Sequence, residues 1–220
     1  MVMKKINTVI FDMDGTVLNT LDDLTEAVNH VFSKFNLPQK SRDEYRKYFG
    51  NGIAYALKCA APEGTPDALI EEMLPVFRAY YDEHCLDQTR PYEGIPELMQ
   101  ELKKAGYKMA IVSNKIDSAV KELNERFFSD CVSVAIGEKE GIKRKPAPDT
   151  VFAALRELGS TCEEAVYIGD SEVDLQTAKN ANLPCIAVLW GFRDREFLIK
   201  NGATTFAKSP KEVNGILKTW

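Results

Sequence analysis

The sequence predicts an α/β protein in which a doubly wound parallel sheet carries an all-helical insert. Three observations lead there. Short β-branched, apolar runs alternate with helical patterns through most of the 220 residues. One stretch near the start breaks that alternation and reads as helix throughout. Polar residues able to do chemistry stand where the strand-like runs end.

In chain order, "INTVIF" (6–11), "YKMAIVS" (107–113), "CVSVAIG" (131–137), "AVYIG" (165–169) and "PCIAVLW" (184–190) read as strands buried on both faces. Between them, "IPELMQELKKAG" (95–106) and "PDTVFAALRELG" (148–159) have helical periodicity and end on glycine. "DLQTAKNANLP" (174–184) reads as a helix stopped near Pro184. In such sheets ligands sit beyond the carboxyl ends of the strands.

The insert is predicted over 20–85, with the sheet domain formed by 1–19 and 86–220. "TLDDLTEAVNHVFSKF" (20–35) spaces Leu21, Leu24, Val28, Val31 and Phe35 along one helical face, with Thr20 and Asp23 as a capping pair. "SRDEYRKYFG" (41–50) repeats the pattern with Ser41, Glu44 and Gly50. A third helix follows Gly52, and a fourth follows Pro66 with Pro75 as a kink or break. The chain returns to the sheet near "DQTRPYEG" (87–94).

Composition narrows the class. Apolar residues make up 45% and charged residues 28%, ordinary globular usage. A net charge of −5 gives no support to nucleic-acid or anionic-membrane partners, which favour basic surfaces. The five cysteines (Cys59, Cys85, Cys131, Cys162 and Cys185) are odd in number and form no C-x-x-C pair, which predicts reduced thiols. The opening "MVMKKINTVIFDMDG" reaches Asp12 too soon for a signal peptide, and no run approaches membrane-spanning length. A cytoplasmic location is the expectation.

"DMDGT" (12–16) follows the first strand directly. At average residue usage, D-x-D-G-T should occur by chance in roughly one chain of this length in several hundred. A calcium-binding EF-hand loop is excluded, because it needs glycine at its sixth position and a preceding helix, whereas Val17 and a strand stand here. More polar groups follow later strands: Ser113 and Asn114, then Lys145 before a proline, then Asp170 and Asp174 in "YIGDSEVD". Alone, each fits a cap or a solvated loop. Together they form an acid–hydroxyl–lysine–acid set that a turn does not need.

That set suits phosphoryl transfer to a carboxylate. Asp12 is the expected nucleophile, forming an aspartyl-phosphate. Its approach to a phosphate dianion needs a cation, for which Asp12 and Asp170 offer the hard oxygens that suit Mg²⁺. Lys145 adds positive charge. Ser113, Asn114, Thr16 and backbone N–H groups of residues 12–16 are candidates to hold phosphoryl oxygens. Asp14 would protonate the leaving alkoxide and then deprotonate water.

The chain resembles the haloacid dehalogenase superfamily nearly end to end: "DMDGT", Ser113, Lys145 and "GDSEVD" match its four motifs in order. Within it, "FDMDGTVLNTLDDLTEAVN", "RPYEGIPEL", "VSNK" and "GDSEVDLQTAKNANLPCIAVLWGF" are most similar to phosphoglycolate phosphatase-like enzymes. The resemblance implies a Rossmann-like core, a helical cap that closes over a small phosphorylated metabolite, and Mg²⁺. The ion would be held by Asp12, the Asp14 carbonyl and Asp170, with Asp174 in support. It also implies that the loop of Gly50, Asn51 and Gly52 faces the active site, although a helix-ending turn explains those glycines equally well. Lys115 is a candidate substrate contact, with a solvated lysine as the alternative. Dehalogenases lack the second aspartate, so Asp14 points to phosphate esters. Phosphomutase-like relatives carry a cap histidine where this chain has Leu24. Pyrophosphate, nucleotides and sugar phosphates remain alternative substrates beside phosphoglycolate. Signalling receivers, which also phosphorylate a strand-end aspartate, are shorter and lack a helical insert.

Overall fold

A computed structural model describes residues 5–220. The part of the signal-peptide expectation that rests on residues 1–4 lies outside them. The chain forms two compact units: the stretch up to Leu18 together with Pro91–Trp220, and Asn19–Arg90.

The first unit is built on a six-stranded sheet. In chain order its elements are β1 (Thr8–Phe11), α5 (Ile95–Lys104), β4 (Lys108–Ile116), α6 (Asp117–Phe127), β5 (Val134–Glu138), α7 (Asp149–Leu158), β6 (Ala165–Gly169), α8 (Glu172–Asn180), β7 (Cys185–Val188), α9 (Arg195–Lys200), β8 (Phe206–Ala207) and α10 (Pro210–Leu217). The strands lie in the order β5-β4-β1-β6-β7-β8, and the paired strands run parallel. After β1 the chain winds outward to β4 and β5, then returns to β6 and winds the other way. The switch point therefore lies between the carboxyl ends of β1 and β6, where a crevice opens in such sheets. β1 (TVIF) and β6 (AVYIG) are buried at every position, as strands covered on both faces must be. On one face Ile10, Ala110 and Val112 meet Val151, Ala154 and Leu155 of α7 in a continuous core.

The second unit is helical: α1 (Leu21–Lys34), α2 (Arg42–Arg46), α3 (Ile53–Ala60) and α4 (Asp67–His84). α4 packs against α1 and α3. Short strands β2 (Leu18–Asn19) and β3 (Arg90–Pro91) pair where the chain leaves and rejoins the sheet unit. The capping box of Ser41 and Glu44 forms at the start of α2.

Several expectations need correction. Thr20 and Asp23 do not cap α1, because the Asp23 carboxylate turns inward. It accepts from Gln88 N at 2.9 Å, Thr89 N at 2.8 Å and Thr89 Oγ1 at 2.7 Å. Satisfying buried backbone donors outweighs a cap that water could replace. Asp23 thereby ties Gln88 and Thr89 to α1, and residues 86–90 group with the helical unit. Pro75 does not end α4. Pro75 and Glu71, whose carbonyl loses its donor, are both exposed to water, while Ile70, Met73, Phe77 and Tyr81 hold the buried face together. β4 continues past Ser113 to Ile116, with its register to β5 shifting after Val112. None of the five cysteines forms a disulfide; Cys85 is buried and the other four are partly so. No described helix is long and apolar enough to cross a membrane.

Replacing Asp23 by alanine strands the Gln88 and Thr89 donors. The expected loss, read by urea unfolding, is about 3 kcal/mol. A loss below about 1 kcal/mol would contradict the bracing role.

Candidate active site

The switch point gathers the polar residues. Phe11 ends β1 in register with Ile168 of β6, and Asp12 N donates to the Ile168 carbonyl at 2.9 Å. Asp12 and Asp170 thus leave neighbouring strands side by side. One oxygen from each of Asp12, Asp170 and Asp174 lies within 4.8 Å of the others, and all three residues are buried.

Lys145 enters from the loop before α7 and is 2% exposed. Its Nζ lies 2.7 Å from Asp12 Oδ1, 2.8 Å from Asp174 Oδ1 and 3.1 Å from the Tyr167 hydroxyl. Taken alone, Lys145 also fits a solvated loop; the structure buries it among its counter-charges. Asn114 Nδ2 donates to the Lys145 carbonyl at 3.0 Å and braces that loop.

Each carboxylate has a different commitment. Asp12 Oδ1 also accepts from Met13 N at 2.6 Å, while no described hydrogen bond reaches Oδ2. Asp174 is saturated: Oδ1 takes Lys145 and Tyr167, and Oδ2 takes the Asp170 and Ser171 N–H groups and the Ser171 hydroxyl. Asp170 accepts from Thr16 Oγ1 at 3.1 Å and from Phe192 N at 2.6 Å.

Several backbone donors of the turn at residues 12–16 have partners in the chain. Gly15 N bonds to the Leu18 carbonyl, and Thr16 N and Val17 N to the Met13 carbonyl. The hydroxyl of Thr16, a candidate to hold phosphate, donates to the buried Asp170 carboxylate, a strong acceptor. Gly15 has φ +83°, and a Cβ there would stand 2.5 Å from Asp170 Oδ2. Only glycine meets both demands.

Asp14 faces a separate set. Lys115 Nζ lies 3.1 Å from Asp14 Oδ1, and Ser113 Oγ lies 3.4 Å from Oδ2. Lys115 is nearly buried, so the alternative of a solvated lysine fails. Gly50, Asn51 and Gly52 belong to the helical unit, where Gly52 caps α3 and both glycines take positive φ.

Charge balance dominates the electrostatics. Burial, followed by the nearby Asp174 charge, pushes Asp12 well above the usual carboxylate range despite Lys145. The same causes raise Asp170 to about 7, opposed by the Phe192 N–H, Arg193 and Thr16. Burial also opposes the charged form of Asp174, but Lys145 overcomes it and holds that carboxyl low. Lys145 itself is raised: burial disfavours its charge, yet Asp12 and Asp174 favour it more. Lys145 pairs with Asp12 and Asp174, and Asp170 beside them has only neutral groups among its described hydrogen-bond donors, so the three carboxylates crowd negative charge together. A divalent cation with a preference for oxygen ligands would neutralise it.

Sequence reasoning missed Tyr167, which completes the Lys145 shell, and the loop of residues 190–193, which backs Asp170. Tyr167 sits in an ordinary buried-strand pattern. The loop has one visible signal, a glycine between two aromatic residues.

Comparison with known proteins agrees with this geometry. The haloacid dehalogenase-like hydrolase family matches residues 9–188. A phosphoglycolate phosphatase of Aquifex aeolicus is 30% identical over 188 residues, covering 85% of this chain and 86% of its own. The pyrophosphatase PpaX of Halalkalibacterium halodurans is 31% identical over 199 residues, covering 88% of each. A crystal structure from Lactobacillus delbrueckii subsp. bulgaricus, described as a proposed phosphoglycolate phosphatase, is 37% identical with a TM-score of 0.92, covering 97% of this chain and 99% of that one. With the strand-end acids, the buried lysine and this match over most of its length, the chain belongs to the haloacid dehalogenase-like hydrolase family.

Proposed function

We propose that the protein hydrolyses a small phosphate monoester of the phosphoglycolate type through a phosphorylated Asp12, with Mg²⁺ as cofactor. The observation that carries this reading is the state of Asp12. Lys145 and the Met13 N–H pin Oδ1, and no described hydrogen bond reaches Oδ2.

In the first step Asp12 Oδ2 attacks phosphorus as the P–O bond to the alkoxide breaks, and Asp14 gives that alkoxide its proton. In the second, Asp14 takes a proton from water, the water oxygen bonds to phosphorus, and the Asp12–phosphorus linkage breaks to release phosphate. Lys145 fixes Asp12 and offsets negative charge throughout. Ser113, whose hydroxyl lies 3.4 Å from Asp14 Oδ2, is assigned a phosphoryl oxygen. Asn114 serves the reaction through the Lys145 loop.

The donor set fits Mg²⁺: hard oxygens, buried, with excess negative charge. Asp12, Asp170 and the Asp14 carbonyl would hold it, and Asp174, its oxygens already spent, would orient Lys145 and the Asp170 backbone. When bound, the ion supplies positive charge to the transferring phosphoryl group. The helical unit is assigned the substrate-selecting role of a cap, with Gly50, Asn51 and Gly52 as its candidate contacts. Both curated relatives are named for small phosphorylated substrates, which supports the class. Pyrophosphate is the second reading, favoured by the PpaX likeness.

A panel of 2-phosphoglycolate, pyrophosphate, sugar phosphates and nucleotides, scored by released phosphate, tests the assignment. Turnover should require Mg²⁺, stop on chelation and vanish in Asp12→Asn. Preference for another ester would overturn the phosphoglycolate assignment, and turnover by Asp12→Asn would overturn the mechanism.

Asp14→Asn separates proton transfer from binding. With a poor alkoxide leaving group, kcat should fall on the order of 10²-fold or more, and with p-nitrophenyl phosphate much less. Equal losses on both substrates would contradict the acid role.

A further inference from the structure

The loop after β7 supplies none of the reacting groups, yet its contacts converge on them. Trp190 Nε1 donates to the Thr16 carbonyl at 2.9 Å. Phe192 N donates to Asp170 Oδ2 at 2.6 Å. Gly191, between them, is buried, and a Cβ there would overlap Asp170 and the Gly15 carbonyl. Arg193 forks onto Glu172 at 2.8 and 3.2 Å, two residues beyond Asp170. Four consecutive residues therefore grip both strand-end turns.

Trp190 is the part of this grip that depends on side-chain identity. Any residue but proline could supply the Phe192 N–H, and Gly191 contributes by having no side chain. The bond to Thr16 needs a donor at the far end of a large ring, and an indole N–H provides one that cannot also accept. Thr16 in turn passes its hydroxyl to Asp170 Oδ1. The ring also lines an open cleft of about 820 Å³ with Tyr92, Leu98, Lys208 and Pro210, so it is only half-buried.

We propose that Trp190 is a positioning residue for the phosphatase reaction: its indole N–H fixes the Thr16 carbonyl and so keeps the Asp12 turn and the Asp170 carboxylate in one mutual geometry. This rests on the reading of Asp12 and Asp170 as the reaction centre. Trp190 acts on the chemical step through that geometry. Removing its donor should therefore lower kcat rather than raise KM.

The experiment has two arms. Trp220→Phe leaves Trp190 as the chain's one tryptophan. Titration with Mg²⁺ should give a saturable change in Trp190 fluorescence, and Asp170→Asn should abolish it. In the second arm, Trp190→Phe keeps the ring and loses the N–H. Its kcat should fall about five- to tenfold, the worth of one neutral hydrogen bond, with KM within about twofold and an unchanged far-ultraviolet spectrum. Fluorescence that ignores Mg²⁺ while turnover requires it, or an unaltered kcat, would overturn the proposal. If Trp190→Phe does not fold, the fluorescence arm decides alone. Asp12→Asn keeps the two failures distinct: full turnover there would sink the site reading, whereas an inactive Asp12→Asn beside a normal Trp190→Phe would sink the positioning role only.

Discussion

One ammonium group, buried among three acceptors, is the constraint on which this site depends. Lys145 Nζ touches Asp12, Asp174 and Tyr167 at 2.7–3.1 Å in a nearly water-free position. Taking a lysine out of water costs several kcal/mol, and here two carboxylates offset it. The trade runs both ways. Without Lys145 the carboxylates would repel one another and favour protonation, which in the proposed mechanism removes the nucleophilic form of Asp12. Removing one member of such a buried pair typically costs about 3–5 kcal/mol.

The topology explains how that cluster assembles from distant parts of the chain. Because β1 and β6 are neighbours at the sheet's switch point, Asp12 and Asp170 leave adjacent strand ends. Asp174 starts the first turn of α8 and points back at the β6 terminus, where it accepts from Asp170 N and Ser171 N. β4, on the other side of β1, brings Asn114, whose amide holds the Lys145 loop. Backbone geometry and carboxylate satisfaction thus serve the same end. The groups that fasten the strand ends are the groups that shape the proposed reaction centre.

Much of this was legible in the sequence, for a physical reason. Strands buried on both faces must be continuous apolar runs, so "TVIF" and "AVYIG" announce themselves, and the residues ending them are marked by contrast. Asp12, Lys145, Asp170 and Asp174 stood out in that way. Direction of side chains did not. Nothing local tells that Asp23 turns from the helix end to Thr89, or that Thr16 points its hydroxyl at Asp170, since both depend on partners 66 and 154 residues away. Tyr167 was hidden by its setting, because a tyrosine in a buried strand looks like packing until its hydroxyl is found on Asp174. Helix α6 was passed over because its charged face, with Lys121, Glu122, Glu125 and Arg126, dilutes a narrow apolar stripe.

The account turns on whether phosphorus becomes bonded to Asp12. The most direct measurement mixes the enzyme with Mg²⁺ and a phosphate ester, quenches in acid within the first turnover, and maps the modified peptide by mass spectrometry. The expected result is one added phosphoryl group on the peptide containing Asp12, lost on longer incubation as free phosphate appears. Product formation with no phosphorylated peptide at any quench time, or phosphate on a different residue, would contradict it.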